Sequence, residues 1–193
     1  MSDEFAFLAA LRAIATHPAA AGLADDTAVL DVAAGRLILT SDTMVAGVHY
    51  RPDDPADSIG WKLAAVNLSD LAAKGATPTG CLLNYALSGD AAWDRAFLDG
   101  LNQALTRFAM PLLGGDTVAM PRGAPRSLTL TAIGAAPARV PLRTGAKPGD
   151  ILWVTGTIGG AGFGPDGNPR DLARYLRPQP RIAEGQAIAG QAT

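Results

Sequence analysis

Cysteine is almost missing from this 193-residue chain: Cys81 stands alone and only two histidines accompany it. That leaves neither a disulfide framework nor a Cys/His zinc site to be assembled. No apolar run approaches the roughly 20 residues that cross a bilayer. Met1-Ser2-Asp3-Glu4 lacks the basic lead of a secretory signal, so a cytoplasmic location is expected. Basic charge is also short, with 16 Lys and Arg against 18 acidic residues and a net charge of −2. Such a surface has no positive field for a nucleic-acid backbone, so neither nucleic acid nor membrane is expected as a partner. Glutamate is confined to Glu4 and Glu184. The acid of this chain is aspartate, whose short side chain is held close to its own backbone.

Four aspartate sites sit where apolar segments meet polar ones: Asp25-Asp26, Asp42, Asp70 and Asp116. Hard cations such as Mg²⁺ take oxygen ligands, a few of them carboxylates and the rest water and substrate phosphates. Scattered aspartates gathered by a fold therefore point to metal-assisted phosphate chemistry. Each also has a bland account: a turn entering a strand for Asp25-Asp26, a strand end for Asp42, an ion pair with Lys74 for Asp70, a braced Gly-Gly turn for Asp116. No Gly-x-x-x-x-Gly-Lys-Ser/Thr loop occurs, and the glycines at 156, 159, 160, 162 and 164 do not follow the dinucleotide spacing Gly-x-Gly-x-x-Gly. Cys81, His17 and the three tryptophans, Trp61, Trp93 and Trp153, read as packing or structural residues.

The periodicities predict a helix over about 3–16 and two strands, 27–32 and 36–41, joined by a tight turn. A helix capped by Asp57 or Ser58 runs to about Ala73, with Ile59, Leu63, Val66 and Leu71 on one face and Asn67 and Asp70 on a common side. A strand at 80–87, a helix at 91–108 with Phe97, Leu101, Leu105 and Phe108 inward, the segment 112–117 and a strand at 127–134 follow. The fold class is α/β (α+β), a mixed and largely antiparallel sheet flanked by helices. Residues 135–141 read as a linker, which divides the chain into an N-terminal domain at 1–136 and the start of a second α/β domain at 137–193. That second unit contributes a strand at 150–155, a helix near 171–176 and a helical tail with almost nothing to pack against, and is expected to be incomplete.

An ordered series of motifs carries a resemblance: Ala24-Asp25-Asp26-Thr27, Thr40-Ser41-Asp42, Gly47-Val48-His49-Tyr50, Ile59-Gly60-Trp61-Lys62 leading to Asn67-Leu68-Ser69-Asp70, Gly114-Gly115-Asp116-Thr117 and Arg143-Thr144-Gly145. Over about residues 5 to 185 the chain resembles the thiamine-monophosphate kinase family, within the aminoimidazole ribonucleotide synthetase-like ATP-binding superfamily. The resemblance implies a PurM/AIR synthetase-like N-terminal domain and ATP-dependent phosphorylation of thiamine monophosphate to thiamine diphosphate, with Mg²⁺ and ATP bound. By motif, Asp25, Thr40, Ser41, Asp42, Asp70 and Asp116 would hold metal, His49 the substrate, and Gly115, Asp116 and Arg143 the nucleotide. It also implies a homodimer that pairs the sheets of two N-terminal domains. The family's later Ser-Asp-Gly-Leu segment has no counterpart before Thr193. Two other readings stand beside this one: another superfamily synthetase that activates an amide or carbonyl oxygen, and a truncated, non-catalytic module that dimerises and binds nucleotide.

Overall fold

The computed structural model describes residues 2–24, 35–121, 123–142, 144–163 and 169–192. Asp25, Asp26, the expected strand at 27–32 and Arg143 lie outside them. Strands β1 (Leu37–Val45), β2 (Thr77–Leu87), β3 (Leu112–Ala119) and β4 (Ser127–Ala135) form one sheet in the order β1-β4-β2-β3. The β1/β4 and β2/β4 pairs are antiparallel and the β2/β3 pair is parallel. The sheet is therefore mixed and mainly antiparallel, with β1 and β3 outermost among the described strands.

Strand β4 shows why one face of this sheet is covered and the other open. Leu128, Leu130 and Ala132 are fully buried, while Ser127, Thr129, Thr131 and Ile133 between them stay partly exposed, the period-2 alternation of a strand with one wet face. Against the buried face lies helix α2 (Ala56–Ala73), with α3 (Ala91–Arg107) packed on α2 and α1 (Ser2–Ile14) on α3. Phe7 of α1 stacks on Tyr85 of β2, and Phe97 of α3 tilts against the same ring. Helix α3 is amphipathic, with Phe97, Leu101 and Leu105 buried and Asp90 capping its first turn by accepting from the N–H groups of Ala92 and Trp93. Helix α2 starts at Ala56 after Pro55 and has no side-chain cap, so neither Asp57 nor Ser58 fills that role. Cys81 is buried core, as expected.

The open face carries a ladder of hydroxyls. Ser41 shares a hydrogen bond with Thr131 at 2.9 Å, and Thr43 with Thr129 at 2.7 Å. Leu37, Leu39 and Val118 stand exposed beside them on the two edge strands.

The C-terminal segment departs from expectation twice. Residues 150–155 form no strand, and Ile151, Leu152 and Trp153 are among the most exposed apolar side chains, Trp153 at 88%. A strand forms only beside another, and among the described residues no strand pairs with this run. The tail, by contrast, does pack. Helices α4 (Pro169–Leu176) and α5 (Ile182–Ile188) both lie against α2. Gly185 sits so close that a Cβ there would fall 2.0 Å from the Ala72 carbonyl, an approach that only glycine allows. Among the described residues no helix is long and apolar enough to cross a membrane.

Candidate phosphate and metal site

Two elements bring part of the aspartate set together. Thr40 and Asp42 are two apart on β1 and so share a face; Asn67 and Asp70 are three apart on α2 and project from one side. The Thr40 hydroxyl donates to Asp70 Oδ2 at 2.6 Å, and the Asp42 N–H donates to Asn67 Oδ1 at 3.2 Å. These two ties lock strand to helix and place the Asp42 and Asp70 carboxylates in each other's field. Burial raises the pKa of Asp42 above its ordinary value, and the Asp70 charge raises it further, while His49 pulls it partly back. A carboxylate raised by burial and by a neighbouring charge of the same sign marks a place where a cation relieves repulsion.

His49 follows β1 on an exposed turn, where its Nδ1 accepts from the Val45 N–H at 3.0 Å. That bond assigns the proton of the neutral ring to Nε2 and leaves this atom free to donate. Lys74 does not pair with Asp70: its ammonium donates to the Pro141 carbonyl at 2.9 Å, toward the tail.

The other expected site residues are distributed differently. Ser41 points to the open face, bonded to Thr131, because its neighbours in sequence must point the opposite way. Register carries the row Asp42, Leu130, Leu83, Gly115 across the sheet, and the next row is Thr43, Thr129, Asn84, Asp116. Asp116 therefore belongs to the open-face row at the far edge, three strand spacings, or roughly 14 Å, from β1. There it accepts from the Thr117 N–H at 2.9 Å. Gly115 has φ 150°, and a Cβ would meet the Leu83 carbonyl at 1.7 Å, so β3 can follow β2 here only with glycine. Among the described residues no three His, Cys, Asp or Glu side chains gather tightly enough to hold a metal alone.

One charged constellation had no counterpart in the sequence reading. Lys62, in α2, is 7% exposed, with its ammonium 4.0 Å from Asp54 Oδ2 and 3.6 Å from the centre of the Tyr175 ring. The Tyr175 hydroxyl donates to the same Asp54 oxygen at 2.8 Å. Asp57 pairs with Arg177, and the Trp61 indole N–H donates to the Pro178 carbonyl at 2.8 Å. A lysine between Trp61 and Leu63 on the buried side of a helix was the available signal.

The sequence model of the AIR synthase related protein, N-terminal domain, matches residues 24–136, more than half of the chain. The chain belongs to that family. It is 44% identical to the thiamine-monophosphate kinase of Escherichia coli K12 over 183 residues, which cover 86% of this chain and 55% of that protein. Among solved structures, the thiamine-monophosphate kinase of Stenotrophomonas maltophilia K279a superposes with a TM-score of 0.79 at 35% identity, covering 87% of this chain and 58% of that one. AaThiL complexed with AMPPCP and TMP superposes with a TM-score of 0.74 at 27% identity, over 86% of this chain and 56% of that one. The chain spans about half the length of the curated relatives it matches.

Proposed function

We propose that this chain supplies the nucleotide- and metal-binding half of an enzyme that phosphorylates thiamine monophosphate to thiamine diphosphate at the expense of ATP, in the cytoplasm. The observation that carries this reading is the coupled Thr40–Asp70 and Asp42–Asn67 pair beside His49, in a chain similar to kinases of that name. Residues 1–136 act as the binding domain and 137–193 as the start of a second.

The donor set fits Mg²⁺: one hydroxyl and two carboxylates, all hard oxygen, too few to complete a shell and so dependent on phosphate and water for the rest. Asp42 and Asp70 would hold the ion with Thr40, and Asp25 would be a further ligand; Ser41 and Asp116 would serve further ions. When bound, Mg²⁺ would neutralise the charge spread over phosphate oxygens as donor and acceptor approach. His49, with a proton on Nε2, is suited to donate to an acceptor phosphate. Gly115, Asp116 and Arg143 would face the nucleotide.

The separation between Asp116 and Asp42 within one chain supports a homodimer. An open sheet face bearing Leu37, Leu39 and Val118 on the two outer strands is a surface that a second copy would cover. A partner's β3 brought near β1 would return Asp116 to the carboxylate cluster.

Calorimetric titration of the 193-residue chain with Mg-AMPPCP, beside an assay for thiamine diphosphate, tests this. Saturable, Mg²⁺-dependent binding with product supports the reading. Binding without product favours a nucleotide-binding module, the alternative that the partial span of the relatives supports. Neither binding nor product refutes both.

A further inference from the structure

Asn67 is fully buried in the middle of α2 and both ends of its amide are used: Nδ2 donates to the Leu63 carbonyl at 3.0 Å, and Oδ1 accepts from the Asp42 N–H at 3.2 Å. The two partners dictate the amide orientation, since a carbonyl can only accept and an N–H can only donate. The Asp42 N–H lies on the β4 side of its strand: Asp42 is opposite Leu130, and the Ala46-to-Arg126 and Ala136-to-Arg36 bonds at the two ends of the same register make the even-numbered positions of β1 the hydrogen-bonded ones. Asn67 approaches from the helix below as a second acceptor for a donor that already faces the neighbouring strand, and so ties α2 to the β1/β4 ladder at this one position. Two residues back, the Thr40 hydroxyl holds Asp70. Two steps along β1 thus match three along α2, so Asp42 and Asp70 are set by a pair of crossties rather than by their own rotamers.

We propose that Asn67 is a positioning residue, fixing the backbone from which the Asp42 carboxylate reaches the metal-phosphate cluster. This rests on the phosphotransferase reading for its consequence but not for its geometry. The chemistry of the position is selective. Aspartate at 67 would still accept from the Asp42 N–H, but it could not donate to Leu63 and would add a third negative charge. Leucine is of similar size but can do neither.

The test is proton–nitrogen correlation NMR on the whole 193-residue chain, with Asn67→Leu and Asn67→Asp, paired with Mg²⁺ titrations of AMPPCP binding. Loss of one of its two acceptors moves the Asp42 amide proton in Asn67→Leu upfield by more than any other amide of β1, while in Asn67→Asp it stays downfield. The Mg²⁺ midpoint in Asn67→Leu rises by about 10-fold or more, the usual effect of removing a group that orients a metal ligand. An unmoved Asp42 amide in Asn67→Leu, or equal shifts along all of β1 in both variants, overturns the proposal. A moved Asp42 amide with an unmoved Mg²⁺ midpoint overturns it as well. If the unsubstituted chain binds no Mg-AMPPCP, the functional reading falls, while the amide shifts still decide what Asn67 does to Asp42. Asn67→Ser, too short to reach β1, gives the same comparison should the leucine variant not fold.

Discussion

The two ends of helix α2 handle charge in opposite ways. At the amino-terminal end, Lys62 and Asp54 are buried together under the Tyr175 ring, and Asp57 takes Arg177: every charge has an opposite. At the carboxyl-terminal end, Asp70 stands exposed beside Asp42, charge like with like, and burial and repulsion together hold Asp42 back from ionising. Paired charges that exclude water join pieces of a structure. Unpaired charges of one sign, held rigid by hydroxyl and amide crossties, wait for a counter-ion. One helix thus serves as a fastening for the C-terminal segment and as one wall of the proposed metal site.

The largest effect that would break this contrast is expected at the fastening. Asp54→Ala leaves the Lys62 ammonium buried without its carboxylate, and denaturant unfolding should show a loss of about 3 kcal/mol, the cost typical of breaking a buried pair by one partner. A loss no greater than that of an exposed pair would mean that Lys62 reaches solvent. At the other end, Asp70→Asn should leave unfolding nearly unchanged but raise the Mg²⁺ midpoint for nucleotide binding by about 10- to 100-fold, or roughly 1.4–2.8 kcal/mol. An unaltered midpoint would remove Asp70 from the metal site.

A smaller effect, about 1 kcal/mol, is expected when Trp61→Phe deletes the N–H that meets Pro178. Faster proteolysis within 169–192 should accompany it. Asp42→Asn sharpens the comparison through pH. Asp42 is harder to ionise folded than unfolded, so its ionisation costs folding. Stability that protonated Asp42 keeps at low pH is lost as pH rises above its ordinary 3.8 and through the raised folded value. The Asn variant should therefore match the unsubstituted chain below pH 3.8, gain on it above, and forfeit that gain when Mg²⁺ is added. The smallest expected change is Asp116→Asn: within about 0.5 kcal/mol in stability, since the side chain is exposed. In the proposed dimer it should nonetheless weaken Mg-nucleotide binding, which sedimentation and calorimetry on the same samples would check.

Much of the frame was legible before any coordinates. Phe97, Leu101 and Leu105 recur at helical spacing and are buried; the apolar and polar residues of β4 alternate and do face opposite ways. Asn67 and Asp70 were legible as neighbours because three residues of helix return to the same side. The tail was not. Its anchors are a glycine at 185, an arginine at 177 and a tyrosine at 175, whose partners lie more than 100 residues earlier, and no local period announces a contact over that distance. The segment 150–155 misled for a related reason. Its composition favours a strand, but a strand exists only beside another, and among the described residues none adjoins it.

Local chemistry, then, was decided by sequence alone: where the main helices run, which positions on them are apolar, and that aspartate is the prevailing acid. Tertiary structure decided which of those acids meet. The order β1-β4-β2-β3 joins Asp42 to Asp70 through α2 and sends Asp116 to the opposite edge. The pleat turns Ser41 away from its neighbours Thr40 and Asp42. Strand order and the covered face follow from how much apolar surface all elements bury together, a property of the whole chain that no single motif contains.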